Sequence, residues 1–172
     1  MFSGEKCNLR PLALNDYKYL NVWNQNCETM KYLGGGYMPV SIDLQQKWIE
    51  KMIDTSGSSV NKRYMITDKG NRPIGLIGLY QINWIHRTCE IGIYVGEEKD
   101  QGRGIAQEAV EMLEKFAKDF LNLRKIKLYV VKENEKALNF WKKCNYQQVG
   151  KLNRERYIEG RYLDLIIMEK FL

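Results

Sequence analysis

Residues Asp100 to Leu113 read "DQGRGIAQEAVEML". Gly102, Gly104 and Ala106 take every second position, and an amphipathic run begins directly behind them. Ile105, Ala109, Met112, Leu113, Phe116, Ala117 and Phe120 fall along one stripe, which predicts a helix over Gly104–Phe120. The start of a helix carries main-chain N–H groups without internal partners and the positive end of the helix dipole. Glycine tolerates positive φ and has no Cβ, so the turn in front can curl its own N–H groups toward the same point. Such a turn is either a plain tight connection or a cradle for a phosphate or diphosphate. Gln101 and Arg103 would add side-chain donors, with Lys99 close by. There is no Gly-x-x-x-x-Gly-Lys-Ser/Thr loop, and the spacing is not Gly-x-Gly-x-x-Gly, so the chain carries neither a P-loop nor a dinucleotide fingerprint.

The 172 residues, 44% hydrophobic and 28% charged, suit one soluble domain spanning 1–172. No apolar run approaches the roughly 18 residues of a membrane span. The opening "MFSGEKCNLR" mixes an acid and a base without an apolar stretch, unlike a signal peptide. Cys7, Cys27, Cys89 and Cys144 are widely spaced, which fits neither a metal knuckle nor a disulfide framework and suggests a reducing cytoplasm. One histidine, His86, is too few for a His-rich metal site, so no metal is expected. The net charge of +6 favours an anionic partner such as a phosphate-bearing cofactor, a nucleic acid or an acidic membrane surface. The basic residues are dispersed, with only short patches at "NLRKIK" and "FWKKC", so neither nucleic acid nor membrane is the expected partner.

Periodicity predicts a weak strand at Cys7–Leu12 and helices at Asn15–Asn26, with "ND" as cap, and at Ser41–Asp54. Strands follow at Tyr64–Thr67, Ile74–Asn83 and Cys89–Val95, the first two joined by a hairpin turn at "DKGNRP". Behind the glycine turn come a strand at Lys125–Val131, a helix at Glu135–Lys143, and strands at Gln147–Tyr157 and Arg161–Lys170 joined at "EGR". "GGG" at 34–36 and "SGSS" at 56–59 read as loops. The class is α+β, a mixed α/β chain with a mostly antiparallel sheet of about seven strands flanked by about four helices.

Gln101-Gly102-Arg103-Gly104-Ile105-Ala106 resembles the Gln/Arg-x-x-Gly-x-Gly/Ala signature of the GNAT acetyltransferases. "ENEKALNFWKKCNY" at 133–146 resembles the family's second signature, and it follows after one strand as the family order requires. "LRPLALNDYKYLNVWNQN", "INWIHRTCEIGIYV" and "YIEGRYLDLIIMEK" resemble the branch that holds acetyltransferases of ribosomal-protein N-termini and of spermidine. The stretch from Ile82 to "KKCNY" is also similar to enzymes that acetylate a 4-amino sugar on UDP.

The resemblance implies acetyl-CoA as cofactor, its diphosphate on Gln101, Gly102, Arg103, Gly104, Ile105 and Ala106. It implies that the central sheet splays in the middle, with the main chain of Ile93, Tyr94 and Val95 free to bind the pantetheine arm and one N–H placed to hold an oxyanion. Asn134 either meets the pantetheine or caps the following helix, and Lys136 and Lys143 either meet the 3′-phosphate or are merely solvated. Where the family commonly has a tyrosine acid, this chain has Trp141, which has no proton to release near neutral pH and so would pack against the cofactor arm. An alkylammonium needs a base before it can attack. Glu90, acting through water, is the first candidate, ahead of His86 and then Asp164. The acceptor, a small-molecule or peptide amine, would meet Tyr37, Trp84 and His86. Aromatic residues and a slight basic excess in the first half suit a ring better than a polyamine. A homodimer is frequent among such proteins. The expected activity is direct N-acetylation of a primary amine, the alternatives being a cofactor-binding protein without catalysis or a basic nucleic-acid-binding domain.

Overall fold

A computed structural model describes residues 1–54 and 60–172. The expected loop at 56–59 lies outside the described residues. Eight strands form one sheet in the order β1-β2-β3-β4-β5-β6-β8-β7. They are β1 (Phe2–Ser3), β2 (Asn8–Pro11), β3 (Lys62–Thr67), β4 (Pro73–Asn83), β5 (Thr88–Val95), β6 (Lys125–Val131), β7 (Gln147–Ile158) and β8 (Arg161–Phe171). Every neighbouring pair is antiparallel except β5 and β6. Among the described residues there are five α-helices: α1 (Tyr17–Asn24), α2 (Cys27–Met30), α3 (Ile42–Asp54), α4 (Ile105–Asp119) and α5 (Glu135–Lys143).

The two elements beyond the expected number are β1, two residues long, and α2, a single turn. Neither is long enough to show a period. The first helix also starts later than "ND" suggested. Leu14–Asp16 is a 3₁₀ turn, and the Asp16 carboxylate turns inward to Arg10 at 2.7 Å and to the Ala13 amide at 2.8 Å. The hairpin at "DKGNRP" forms as expected, with Asp68 Oδ1 accepting from the Gly70 and Arg72 amides at 3.0 and 2.9 Å. Ser41 caps α3 through the Leu44 amide, 3.2 Å away.

Strand alternation sorts the two faces. Ile77, Leu79, Cys89, Ile91, Ile126, Leu128 and Val130 pack against α4 and α5. Met65 and Tyr94 pack against α1 and α3 through Leu20, Trp23 and Ile49. The α4 stripe is buried at Ile105, Ala109, Leu113 and Ala117, which fixes the helix, and hence the turn before it, against the sheet.

Two polar anchors hold that turn. Asp100 is only 2% exposed and takes a bidentate pair from Arg72 at 3.0 and 2.7 Å, while Arg72 Nε bonds Asp68. The Glu108 carboxylate accepts the main-chain N–H groups of Glu5, Lys6 and Cys7 at 2.8, 2.9 and 2.8 Å, tying the N-terminal segment to the first turn of α4.

Arg72→Met leaves the Asp100 carboxylate buried without its guanidinium. The expected loss is about 2–3 kcal/mol in urea unfolding, below that of a wholly buried pair because Arg72 is partly exposed. For Glu108, burial acts to raise the carboxyl and is outweighed by the main-chain donors, so it sits below the ordinary carboxylate range. Its contribution is therefore complete above the unfolded value and disappears as pH falls through the lower folded value. Glu108→Gln should cost about 1 kcal/mol at pH 7, with the gap from wild type narrowing below the ordinary carboxylate range, read from urea midpoints across pH.

Candidate active site

The register of β5 and β6 stops early. Thr88, Cys89 and Glu90 pair with Lys125, Ile126 and Lys127, and the pairing goes no further. Beyond that point β5 stays with β4 as far as Val95, and β6 stays with β8 as far as Val131. The two strands part, and a wedge opens between them. Trp23 reinforces the parting. Its ring stands edge-on to Tyr94 at 5.9 Å and lies so close to Gly96 that any Cβ there would run into the indole.

The main chain facing the wedge follows from alternation. Gly96 N donates to Ile74 O at 2.9 Å, which makes 96/74 a hydrogen-bonded pair of the β4–β5 ladder. In an antiparallel ladder such pairs occur at every second residue. Tyr94 and Gly92 therefore direct their N–H and C=O toward β4, while Ile93 and Val95 direct theirs into the wedge. Tyr94 is corrected: its main chain belongs to β4, and its partly buried ring packs against Trp23, with burial driving its hydroxyl above the usual phenol range.

From Val95 the chain runs through Glu98–Asp100 into the glycine turn. Gly102 and Gly104 have φ of +73° and +76°. Gly104 is the N-cap of α4 and no side chain caps that end. The ideal Cβ of Gly102 would meet nothing within 4 Å, whereas one at Gly104 would lie 2.6 Å from Lys6 Nζ. The turn is thus left-handed, free of side chains, beside a lysine, and directed by the start of a buried helix. These features fit a diphosphate. Ile105 is core by its side chain and contributes only main chain, and Ala106 is half-buried. Arg103 is exposed, 3.8 Å from Asp100, and Gln101 Oε1 accepts from Lys136 of α5. Lys6, Arg72 and Asp100 were not legible as site supports, because each acts through a contact distant in sequence.

The other expected residues divide. Asn134 is the N-cap of α5, its Oδ1 accepting from the Ala137 amide at 3.1 Å. Lys143 lies in the last turn of α5, about 10 Å along the helix from Lys136. Trp141 is 6% exposed, stacked edge-on between Phe140 and Tyr146 at 5.0 Å each, so it is a core side chain with little surface for a ligand. Trp84 and His86 are exposed in the turn before β5, at the paired end of that strand, which spans about 23 Å from Thr88 to Val95. The structure does not bring them to residues 93–95. Tyr37 is half-exposed and donates to Gln25 O at 3.4 Å.

Glu90 is the last β5 residue paired with β6, at the apex of the wedge, with Lys127 Nζ 3.6 Å from its Oε1. Asp164 is engaged elsewhere: the Arg154 amide and Lys151 hold its carboxyl below the ordinary range, which unfits it as a base. The three buried thiols are equally unsuited to act as nucleophiles, since burial pushes Cys7 and Cys89 up to about 12 and Cys144 up to about 11.

Residues 6–147 match the family model described as an acetyltransferase (GNAT) domain. The chain is 30% identical to spermidine N(1)-acetyltransferase of Vibrio cholerae serotype O1 over 173 residues, 98% of this chain and 97% of that protein. It is 31% identical to the Escherichia coli K12 protein of the same name over 168 residues, 98% of this chain and 87% of the other. A crystal structure of the Vibrio cholerae enzyme in complex with CoA and spermine superposes with a TM-score of 0.86 at 30% identity, covering 98% of this chain and 96% of that one. With the parted strands and the glycine turn, these likenesses establish that the chain belongs to the GNAT acetyltransferase family and is an acetyl-CoA-dependent N-acetyltransferase.

Proposed function

We propose that the chain acetylates a primary amine on a small molecule, that Glu90 is the base acting through water, and that the wedge and the glycine turn together hold the acyl donor. The observation that carries this reading is the end of β5–β6 pairing at Glu90 and Lys127, which leaves a carboxylate at the apex of the only parallel seam in the sheet. Acetyl-CoA supplies an activated thioester when bound. Gly102, Gly104, Ile105 and Ala106 would offer main-chain N–H groups to its diphosphate, and the N–H of Ile93 or Val95 would stabilise charge developing on its carbonyl oxygen. Glu90 takes the proton that keeps an alkylammonium from attacking. Direct transfer agrees with the raised thiols of Cys7, Cys89 and Cys144, since an acyl-enzyme would need a reactive nucleophile.

The acceptor class follows from charge. Several carboxylates on or beside the face of the sheet that packs α1 and α3 already have cations: Glu90 has Lys127, Glu169 has Lys125 at 2.8 Å, and Glu28 and Glu159 share Lys31. A polycation would have to displace these partners. An acceptor with one amine, such as an amino sugar, needs no such exchange, although the similarity to spermidine acetyltransferases makes spermidine the first comparison to run.

Gly104→Val forces a β-branched residue to φ of +76° against Lys6, so coenzyme A affinity should fall at least about tenfold by calorimetry. In a thiol-release assay over spermidine, amino sugars and peptide N-termini, kcat/KM should be highest for a monoamine small molecule. A clear preference for spermidine or a peptide would contradict the acceptor assignment. Glu90→Gln should lower kcat about 10²–10⁴-fold in the thiol-release assay while coenzyme A affinity stays near wild type.

A further inference from the structure

Trp141 leaves the site without the tyrosine acid that the second signature leads one to expect, and its indole is locked in the core. The departing thiolate still needs a proton. Tyrosines elsewhere are mostly committed. Tyr64 packs between Phe2 and Phe116 on the α4 face, and Tyr146 is buried on that face as well. Tyr80 lies on the acceptor face, but its hydroxyl points over Gly78, away from the wedge, with Arg63 5.1 Å from its ring. Tyr94 is under Trp23.

Tyr129 differs in each respect. It follows Lys127 by two residues on β6, so both side chains leave the same face of the strand. Lys127 is the last residue of β6 paired with β5, which puts Tyr129 one step inside the wedge. On the facing strand the matching step is Gly92, which carries no side chain of its own; the edge of the Tyr80 ring lies over it, 3.3 Å from where a Cβ would stand. Although β6 is an interior strand with β8 paired along its whole length, Tyr129 is 40% exposed, because its other neighbour has turned away. Lys127 Nζ stands 5.8 Å from the Tyr129 ring centre and 3.6 Å from Glu90. Glu169 faces Lys127 in register on β8, and Ile167 faces Tyr129.

Resting on the acetyl-transfer reading above, we infer that Tyr129 is the catalytic acid of this chain, giving its phenolic proton to the departing sulfur across the open seam while Glu90 works at the amine. The atoms balance. Glu90 passes the ammonium proton on to solvent through water; the free amine nitrogen then forms the C–N bond and releases its second proton to Glu90 by the same water. The C–S bond breaks with its electron pair on sulfur, and the Tyr129 proton completes the thiol. The phenolate regains a proton from solvent through the Lys127 ammonium. Lys127 is suited to that duty: burial acts to lower it and is outweighed by the Tyr129 hydroxyl and the Glu90 carboxylate, so it stays charged. The acid has therefore moved from the helix to the strand across from it, on the same side of the sheet as the base.

The test is Tyr129→Phe in the full chain, with two readings. Acetyl transfer should fall about 10²–10⁴-fold with coenzyme A affinity within about threefold of wild type. In the complex with coenzyme A itself, the thiol titration, followed by thiolate ultraviolet absorbance, should move to higher pH in the variant, since a hydroxyl that donates to sulfur favours the thiolate. Transfer within about threefold of wild type overturns the proposal. So does a loss of transfer with an unmoved thiol titration, which would make Tyr129 a positioning residue. A wild-type chain that releases no thiol with any amine overturns the acetyl-transfer reading and the proposal together, whereas an active wild type beside an unaffected variant overturns the acid assignment alone.

Discussion

The site depends on a competition that β5 cannot satisfy on both edges. Its pairing with β4 runs from Thr88 to Val95 and continues into the Gly96–Ile74 bond, while β6 is fully engaged by β8. Only three residues of β5 find partners on β6. A buried sheet normally leaves few main-chain groups without partners. Here the N–H and C=O groups of Ile93 and Val95 face an open seam, which is a standing demand for a ligand that can supply the missing ladder. Trp23, pressed onto Gly96 and Tyr94, keeps β5 on its own side of that seam.

The second element is the turn that follows. A left-handed glycine pair is valuable only if it is aimed, and aiming comes from three separate anchors. The apolar stripe of α4 fixes the helix axis, Arg72 fixes the approach through Asp100, and Glu108 fastens the N-terminal segment so that Lys6 lies beside Gly104. The Lys136–Gln101 contact brings the start of α5 to the same turn. Positive charge thus gathers at one end of the seam, and the Glu90–Lys127 pair stands at the other, which gives the seam a direction.

Much of this was legible in the sequence where the signal is local. Period 3.6 over Ile105–Phe120 and the glycines before it located α4 and the left-handed turn at its start, and the alternation in "KIKLYVV" located β6 with its boundaries. The same alternation sets Lys125, Lys127 and Tyr129 on one face of a strand whose other face is wholly apolar, a signal that points to a polar cleft once attention falls on it. Three kinds of feature stayed hidden. Elements shorter than one period, β1 and α2, carry no pattern. Ion pairs such as Arg72–Asp100 join residues far apart in the chain. Direction within a strand depends on register, so sequence could nominate Ile93, Tyr94 and Val95 together but not separate Tyr94, whose main chain serves β4. Likewise Trp84 and His86 have suitable chemistry, and only the topology shows that their turn lies at the closed end of β5.

The most direct measurement of the central claim is residue-resolved amide hydrogen exchange with and without coenzyme A. The account predicts that the amides of Ile93, Val95, Gly102 and Gly104 exchange readily in the free chain and become protected when coenzyme A binds, while Tyr94, already bonded to β4, hardly changes. Protection appearing elsewhere, with the seam and the glycine turn exchanging as before, would contradict it.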